Sequence, residues 1–319
     1  MSAVGLVLGG GGITGAAFEI ASLMALELAT GWTPHEADVI VGTSSGSFVA
    51  SLARHGRLDL DALVLPTDER EAVAERIREK VYRARPGVHP TTWVRHGLLA
   101  GIRNPGLTLL LGSPARFDAN GIADWVREQV GAEAESWPHS PTVVVAYDVA
   151  AKRRVPFGTI DAPDVGLADA VAASSAIPVL FRPFRIDDRL YVDGGIVSGT
   201  NADLVLGSDA PLDLVLIFAP MASELERRGA WFHERMFDRV GRRYLDEEVA
   251  MIRSAWPSCD VVVITPTAAT LAAMRPNPMD ADSAVPTFIR ALRGMKRVLT
   301  HPEVWRPIER HLIRVGTPR

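Results

Sequence analysis

Residues 4–15 read VGLVLGGGGITG and decide the fold, because a short apolar run stops at four glycines and gives way to a helix-forming segment. Residues 4–8 have the apolar character of a strand that is buried on both faces. Residues 13–29 are rich in Ala, Leu, Met and Glu, which favour a helix. A strand, a glycine-rich turn and a helix in this order predict an α/β architecture.

The same order recurs at residues 39–46, which read VIVGTSSG and lead into a helix pattern that ends near His55. Parallel sheets are covered by helices on both faces, so we predict a three-layer α/β/α fold with a mostly parallel central sheet. Further strands are expected at residues 142–149, 212–218 and 261–264, with a hairpin over residues 184–192. Further helices are expected near residues 69–84, 118–130, 168–174, 223–254, 280–300 and 302–313.

The 319 residues are expected to form a single domain, because 47% of them are apolar and one core of this size is sufficient. Residues 57–140 are less regular, and we interpret them as an insertion or lid over the sheet. Their apolar, proline-interrupted segment from Trp93 to Leu111 is a candidate lid or membrane-facing patch. Packing of this segment on the core is the alternative. Residues 223–319 are expected to be mostly helical, with one further strand.

Charge and cysteine content exclude several classes of function. The formal net charge is −4, so no overall basic field attracts nucleic acid. Cys259 is the single cysteine, which rules out an intrachain disulfide and a cysteine–zinc cluster, and fits a cytoplasmic location. We expect no secretory signal, because the first residues lack a positively charged region and a cleavage site, and no run near the roughly 18–20 apolar residues of a spanning helix. Any membrane contact is therefore expected to be peripheral.

Gly42-x-Ser44-x-Gly46 is the pattern of a nucleophile elbow. This chemistry needs a serine on a sharp turn between a strand and a helix, and the flanking glycines permit that turn. The following helix directs the positive end of its dipole at the reacting centre, where an anion forms. The alternative is a plain strand-to-helix turn without a catalytic role.

The glycine run permits two chemistries. Gly10-x-Gly12-x-x-Gly15 fits the dinucleotide-binding pattern, and the same backbone can form an oxyanion hole. A dinucleotide site requires an acidic residue at the end of the second strand to bind the ribose, but Asp38 lies before that strand. A serine elbow occupies the expected place. An oxyanion loop beside a nucleophile is therefore the consistent interpretation.

A nucleophilic serine needs a base. None of the eight histidines follows a clear strand among small residues, although His301 and His311 have the chain order of a Ser-Asp-His triad. Asp193 stands at a predicted strand end and is followed by Gly194 and Gly195. A carboxylate can act as general base if it hydrogen-bonds the serine hydroxyl. The alternative is an ordinary aspartate in a turn.

Four segments together resemble the patatin-like phospholipase family. They are GGGGITG at residues 9–15, GTSSG at 42–46, ASSAIPVLF at 173–181 and DGG at 193–195. The family pattern is a glycine-rich loop after the first strand, an early G-x-S-x-G and a later D-G-G or D-G-A. The resemblance covers about residues 4–220, with a loose gap across 57–140.

The resemblance implies a patatin-like α/β/α fold and a Ser–Asp dyad, in which Ser44 attacks an ester carbonyl and Asp193 is its base. Backbone amides of Gly10, Gly11 and Gly12 would hold the oxyanion. The glycines that would support these motifs are Gly15, Gly42, Gly46, Gly194 and Gly195. No metal or organic cofactor is implied. The implied partners are glycerolipid esters, namely phospholipids, lysophospholipids or acylglycerols, and oligomeric state is left open.

Two departures from the family pattern matter. Thr14 stands where the family usually has Arg or Lys, which weakens the case for a phosphate-bearing head group and favours neutral esters. It also keeps open a non-catalytic lipid-binding or scaffold protein on the same fold. The run Ser198–Asn201 differs from the commoner continuation after the aspartate, and the sequence offers no interpretation of it. A Ser-His-Asp esterase and a nucleotide-dependent oxidoreductase are the remaining rivals.

Overall fold

A computed structural model describes residues 2–58, 70–84, 115–223, 232–274 and 276–313, with the backbone alone at residues 84 and 232–240. Its main element is an eight-stranded sheet with strand order β10-β9-β1-β2-β5-β8-β7, in which β6 also pairs with β5. The strands are β1 Val4–Leu8, β2 Val39–Thr43, β5 Thr142–Asp148, β6 Arg153–Phe157, β7 Phe184–Ile186, β8 Arg189–Asp193, β9 Leu214–Phe218 and β10 Asp260–Ile264. A separate small ladder joins β3 Arg83–Ala84 to β4 Phe117–Asp118.

The predicted mostly parallel sheet is confirmed. β10, β9, β1, β2 and β5 run parallel to one another, whereas β6, β7 and β8 join the sheet beside β5 through antiparallel pairs. The sequence analysis missed β6, whose sequence RRVPF contains two arginines and a proline and so lacks a clear strand signal. The expected hairpin at residues 184–192 is present as β7 and β8.

Helices cover both faces of the sheet. The helices are α1 Gly12–Thr30, α2 Ser45–Arg54, α3 Arg70–Val81, α4 Asn120–Val130, α5 Leu167–Ser174, α6 Phe232–Ala255, α7 Ala268–Ala273, α8 Ala284–Val298 and α9 Pro302–Leu312. Leu6 and Leu8 of β1 pack with α1, α2, α8 and α9 on one face. Val7 of the same strand packs on the other face, with α6. This alternation places β1 in the middle of three layers, as predicted.

The first helix corrects one sequence-based expectation. α1 is long and apolar enough to cross a membrane by length and composition, although no such run was expected. Small residues such as Gly, Ala and Thr fill its sequence, so no unbroken row of large apolar residues marks it. In the structure 67% of its apolar window is buried, and α1 packs between the sheet and α8. Its apolar character is that of a core helix.

Parts of the predicted insertion at residues 57–140 belong to the core. α3 and α4 contribute Val73, Ile77, Ile122 and Val126 to the cluster that includes Val144 of β5. They therefore extend the layer formed by α2 and α5. The candidate lid from Trp93 to Leu111 lies outside the described residues, as do the side chains of Trp231, Phe232, Met236 and Phe237, which the sequence had suggested as a second apolar patch.

Candidate functional site

Ser44 occupies a strained turn between β2 and α2. Its backbone has φ 54° and ψ −124°, which a residue with a side chain adopts only where the surroundings enforce it. A Cβ at Gly42 would lie 2.6 Å from Cα of Ser47, and a Cβ at Gly46 would overlap the carbonyl oxygen of Leu8. Both flanking positions therefore require glycine. This is the geometry of a nucleophile elbow.

The peptide groups around Ser44 are held by neighbouring serines. The Ser44 amide donates to Oγ of Ser174 at 2.9 Å, and the Ser174 hydroxyl donates to the carbonyl oxygen of Val145 at 2.6 Å. The amide and the hydroxyl of Ser47 both donate to the Ser44 carbonyl oxygen, at 2.9 and 2.6 Å. Because the backbone is anchored on both sides, the Ser44 side chain is the part of this residue left to rotate.

Strand β5 brings Ser44 and Asp193 together. Thr43, the last residue of β2, pairs with Val145, and Asp193, the last residue of β8, pairs with Ala146. β2 runs parallel to β5, whereas β8 runs antiparallel to it. The two strands therefore approach from opposite directions, and their last residues lie at adjacent positions of β5. The Ser44 side chain comes close enough to the Asp193 carboxyl there to lower the pKa of that carboxyl.

The Asp193 carboxyl is buried and unusually basic. Its residue is 5% exposed, and burial raises the pKa of this carboxyl to about 6, against the opposing effect of hydrogen bonds from Ser44 and Gly195. The Gly195 amide donates to Oδ1 of Asp193 at 2.7 Å, which fixes the carboxyl plane. A base is most effective when its pKa lies near the operating pH. The environment of Asp193 shifts it in that direction.

The glycine loop lies against Ser44, but its amides are not equivalent. A Cβ at Gly10 would lie 3.2 Å from Cβ of Ser44. The Gly10 amide donates to the carbonyl oxygen of Gly199 at 2.7 Å, and the Gly11 amide donates to Oγ of Ser45 at 2.9 Å. Gly10 therefore already donates to a backbone oxygen in this conformation, and the oxyanion role of Gly10, Gly11 and Gly12 stays a prediction. Gly12, at the first turn of α1, stays a candidate donor.

A segment near the C-terminus completes the loop and was missed by the sequence analysis. The carbonyl oxygen of Pro278 accepts the Thr14 amide at 3.0 Å. Cβ at Gly12 would lie 2.8 Å from that oxygen and from Sδ of Met279, which explains why glycine is needed at this position, where φ is +63°. Thr14 itself is fully buried. No motif in residues 276–283 signals this contact in the sequence.

The run Ser198–Asn201 supports the glycine loop and the end of β2 through hydrogen bonds. The carbonyl oxygen of Gly199 accepts the Gly10 amide, as described above. Nδ2 of Asn201 donates to Oγ1 of Thr43 at 3.2 Å. Oε2 of Glu248, on α6, accepts from Oγ1 of Thr200 at 2.5 Å and from the Ala202 amide at 2.9 Å. Burial raises the pKa of the Glu248 carboxyl above its ordinary value. This carboxyl ties the glycine loop and the nucleophile strand to a helix of the opposite layer.

Two rival interpretations lose support. His311 hydrogen-bonds Oγ of Ser2 and Oδ2 of Asp260, each at 3.0 Å. Ser2 precedes β1 and Asp260 begins β10, so His311 lies at the edge of the sheet opposite Ser44, and a triad with His311 is wrong. Asp38 accepts the Val4 amide at 2.6 Å at that same opposite edge, where it cannot bind a ribose beside the glycine loop.

An apolar cleft opens beside Ser44. Its walls come from α1, α2 and α4, from the loop after α5 and from Met279. Among the residues that the structure describes, no group of three His, Cys, Asp or Glu side chains is placed to hold a metal ion. The arrangement supplies a serine, a buried carboxylate, a helix N-terminus and an apolar cleft, which suit acyl transfer more than other chemistries.

Comparison with known proteins finds relatives of this chain. The family model for patatin-like phospholipases matches residues 6–206. Uncharacterized NTE family proteins of Mycobacterium bovis and Mycobacterium tuberculosis are 38% identical over 98 residues, which is 28% of this chain and 25% of each relative. The match thus spans about a quarter of the length of these curated relatives. The crystal structure of VipD from Legionella pneumophila aligns over 93% of this chain and 67% of its own, with 15% identity and a TM-score of 0.36.

Proposed function

Because the chain belongs to the patatin-like phospholipase family, we propose that it is a serine acyl hydrolase that cleaves carboxylic esters of lipids. The observation that carries this proposal is the contact between the strained Ser44 and the buried Asp193 at the meeting point of β2 and β8. A strained backbone at a cleft is typical of functional sites.

In the acylation step, Oγ of Ser44 attacks the ester carbonyl carbon while the Asp193 carboxylate takes its proton. The carbonyl oxygen becomes an oxyanion, which the Gly12 amide and the N-terminal ends of α1 and α2 stabilise. The Gly11 amide joins them when the Ser45 hydroxyl rotates away. As the tetrahedral intermediate collapses, the alcohol leaves with the proton from Asp193, and the acyl group stays on Ser44.

In the deacylation step, Asp193 takes a proton from water as the water oxygen attacks the acyl carbonyl. The second intermediate collapses, the fatty acid leaves, and Oγ of Ser44 regains its proton from Asp193. The same carboxyl thus acts as base and then acid in both steps. A pKa of about 6 suits both roles, because the carboxyl is mostly ionised at neutral pH and gains a proton more readily than an ordinary aspartate.

The apolar cleft supports a lipid substrate. Phospholipids, lysophospholipids and acylglycerols are the candidate esters, and Thr14 favours those without a phosphate near the reacting ester. No organic cofactor takes part in the proposed steps. We place the protein in the cytoplasm, with peripheral contact to a membrane when it takes up its substrate.

A second candidate function is lipid binding without turnover. The occupied amides of Gly10 and Gly11 favour it, because they leave fewer donors for an oxyanion. The two candidates differ in whether Ser44 is reactive. An active-site probe therefore separates them without knowledge of the natural substrate.

The test is covalent labelling by a fluorophosphonate, followed by intact-mass analysis. We expect one adduct on the wild type, none on Ser44→Ala and strongly slowed labelling of Asp193→Asn. Ser136→Ala and Asp209→Asn, at exposed positions, serve as matched controls and should label like the wild type. A wild-type protein that is folded and stays unlabelled would overturn the hydrolase and favour lipid binding.

A further inference from the structure

Three helices present matching stripes of side chains that begin beside Ser44. The stripes run from Ile13 to Ile20 on α1, from Ser45 to Leu52 on α2 and from Ile122 to Gln129 on α4. Residues three and four positions apart share one face of a helix, and the first and last residues of each stripe are seven positions apart. At a rise of about 1.5 Å per residue, each stripe is about 10 Å long.

The stripes enclose two adjoining clefts. The near cleft contains Ser44 and Met279, and the far cleft contains Leu52 and Ile77. The residues that line both are Ile13, Ala16, Phe48 and Trp125. The rings of Phe48 and Trp125 lie 4.6 Å apart and form the shared wall. Because these four residues line both clefts, the clefts adjoin, and we call the two together the groove.

The groove changes character at its far end. Near Ser44 its lining is almost wholly apolar, whereas Arg57, Arg76 and Gln129 line the far cleft. Both arginines belong to exposed residues. An apolar chain that extends beyond Leu52 would therefore meet water and charged groups, and its further methylenes would gain nothing from burial.

We propose that this groove binds the acyl chain of medium-chain esters, with about eight to ten carbons between Ser44 and the arginines. Carbon–carbon bonds of about 1.5 Å advance a zigzag chain by roughly 1.25 Å each, so a groove of about 10 Å holds about eight bonds. The inference rests on the proposed hydrolase and adds the substrate class that this site selects. Ala16, half-buried in the wall shared by both clefts, controls passage from the near cleft to the far one.

Hydrolysis of p-nitrophenyl esters of increasing chain length tests the proposal. For the wild type, kcat/KM should rise by about two- to fourfold per methylene up to about ten carbons and then level off. Ala16→Phe should lower the ratio of decanoate to butyrate kcat/KM about tenfold or more. Ala25→Phe is the matched control, because Ala25 is half-buried on the same helix and lies outside the groove. An unchanged ratio in a folded Ala16→Phe protein, or a rise that continues to sixteen carbons, overturns the proposal.

A binding experiment separates this inference from the proposed function. Decanoate should raise the melting temperature of Ser44→Ala more than butyrate does, and Ala16→Phe in that background should remove the difference. This outcome together with an unlabelled wild type would support the groove and reject the hydrolase. Equal effects of decanoate and butyrate on Ser44→Ala, with normal labelling of the wild type, would reject the groove and keep the hydrolase.

Discussion

The Ser174 hydroxyl accepts a hydrogen bond from the backbone amide of Ser44 at 2.9 Å and donates one to the carbonyl oxygen of Val145 at 2.6 Å. The buried Ser174 side chain thus links the turn at Ser44 to β5, the strand with which Asp193 pairs. Ser174 ends α5, so this helix fixes the height of Ser44 above the sheet. The relationship leads to a first prediction.

Ser174→Ala should destabilise the protein by about 1–3 kcal/mol, because it leaves a buried amide and a buried carbonyl oxygen without a partner. It should also slow fluorophosphonate labelling of Ser44, since the strained turn is no longer held. Chemical denaturation and labelling rates measure the two effects. Ser51→Ala is the control, because the buried Ser51 hydroxyl bonds only within its own helix turn. Equal labelling of both variants would show that Ser174 does not position Ser44.

The pH dependence of acylation should report Asp193. The carboxylate is the reactive form, and burial raises the pKa of Asp193 to about 6. The labelling rate should therefore rise tenfold per pH unit below about 6 and reach a plateau above it. A stopped assay at constant ionic strength from pH 4.5 to 8.5 measures the profile. A midpoint near 4 would show that the carboxyl is not desolvated, and a midpoint above 7 would indicate another base.

Asp193 should also make stability depend on pH. Its pKa is raised in the folded state, from 3.8 to about 6, so the folded protein binds the proton more tightly than the unfolded chain. This tighter proton binding adds about 3 kcal/mol to the free energy of unfolding. The added stability is fully present below about pH 4 and is lost as pH rises through 6. Asp193→Asn lacks a titrating carboxyl, so it should not show this pH dependence.

The measurement compares urea denaturation of the wild type and Asp193→Asn at pH 4 and pH 7. The wild type should lose stability relative to the variant as pH increases. A difference that stays constant between the two pH values would contradict the desolvation of Asp193.

Glu248 should stabilise the loop that supports Gly10. Glu248→Ala removes the acceptor of the Thr200 hydroxyl and of the Ala202 amide, so we expect a loss of about 1–3 kcal/mol and slower labelling of Ser44. Glu248→Gln keeps one acceptor oxygen, so it should retain most of the stability and most of the labelling rate. Glu247→Ala, at the exposed neighbouring position, is the control. Slowed labelling that Gln does not restore would indicate a general packing defect instead of a hydrogen bond.

Local sequence determined the turns and the strands of this protein. Gly42 and Gly46 flank a serine because atoms within a few residues, or on the adjacent strand, exclude a Cβ there. The apolar runs of β1, β2, β5, β9 and β10 and the short hairpin into Asp193 were predicted for the same reason, since side-chain period and backbone sterics act over short distances. These features were sufficient to indicate the α/β/α fold, whereas Ser44 and Asp193 were indicated as a pair by the resemblance of four segments to the patatin-like phospholipase family.

Only the tertiary structure decided which of these groups meet and which amides are free. Ser44 and Asp193 are 149 positions apart in the sequence, and they adjoin because β2 and β8 end at neighbouring residues of β5. The bond from Gly10 to Gly199, the contact of Pro278 with the glycine loop and the distance of His311 from Ser44 depend equally on strand order. Strand order follows from packing of the whole chain, because each layer buries its apolar face only against the others, and no short segment contains that information.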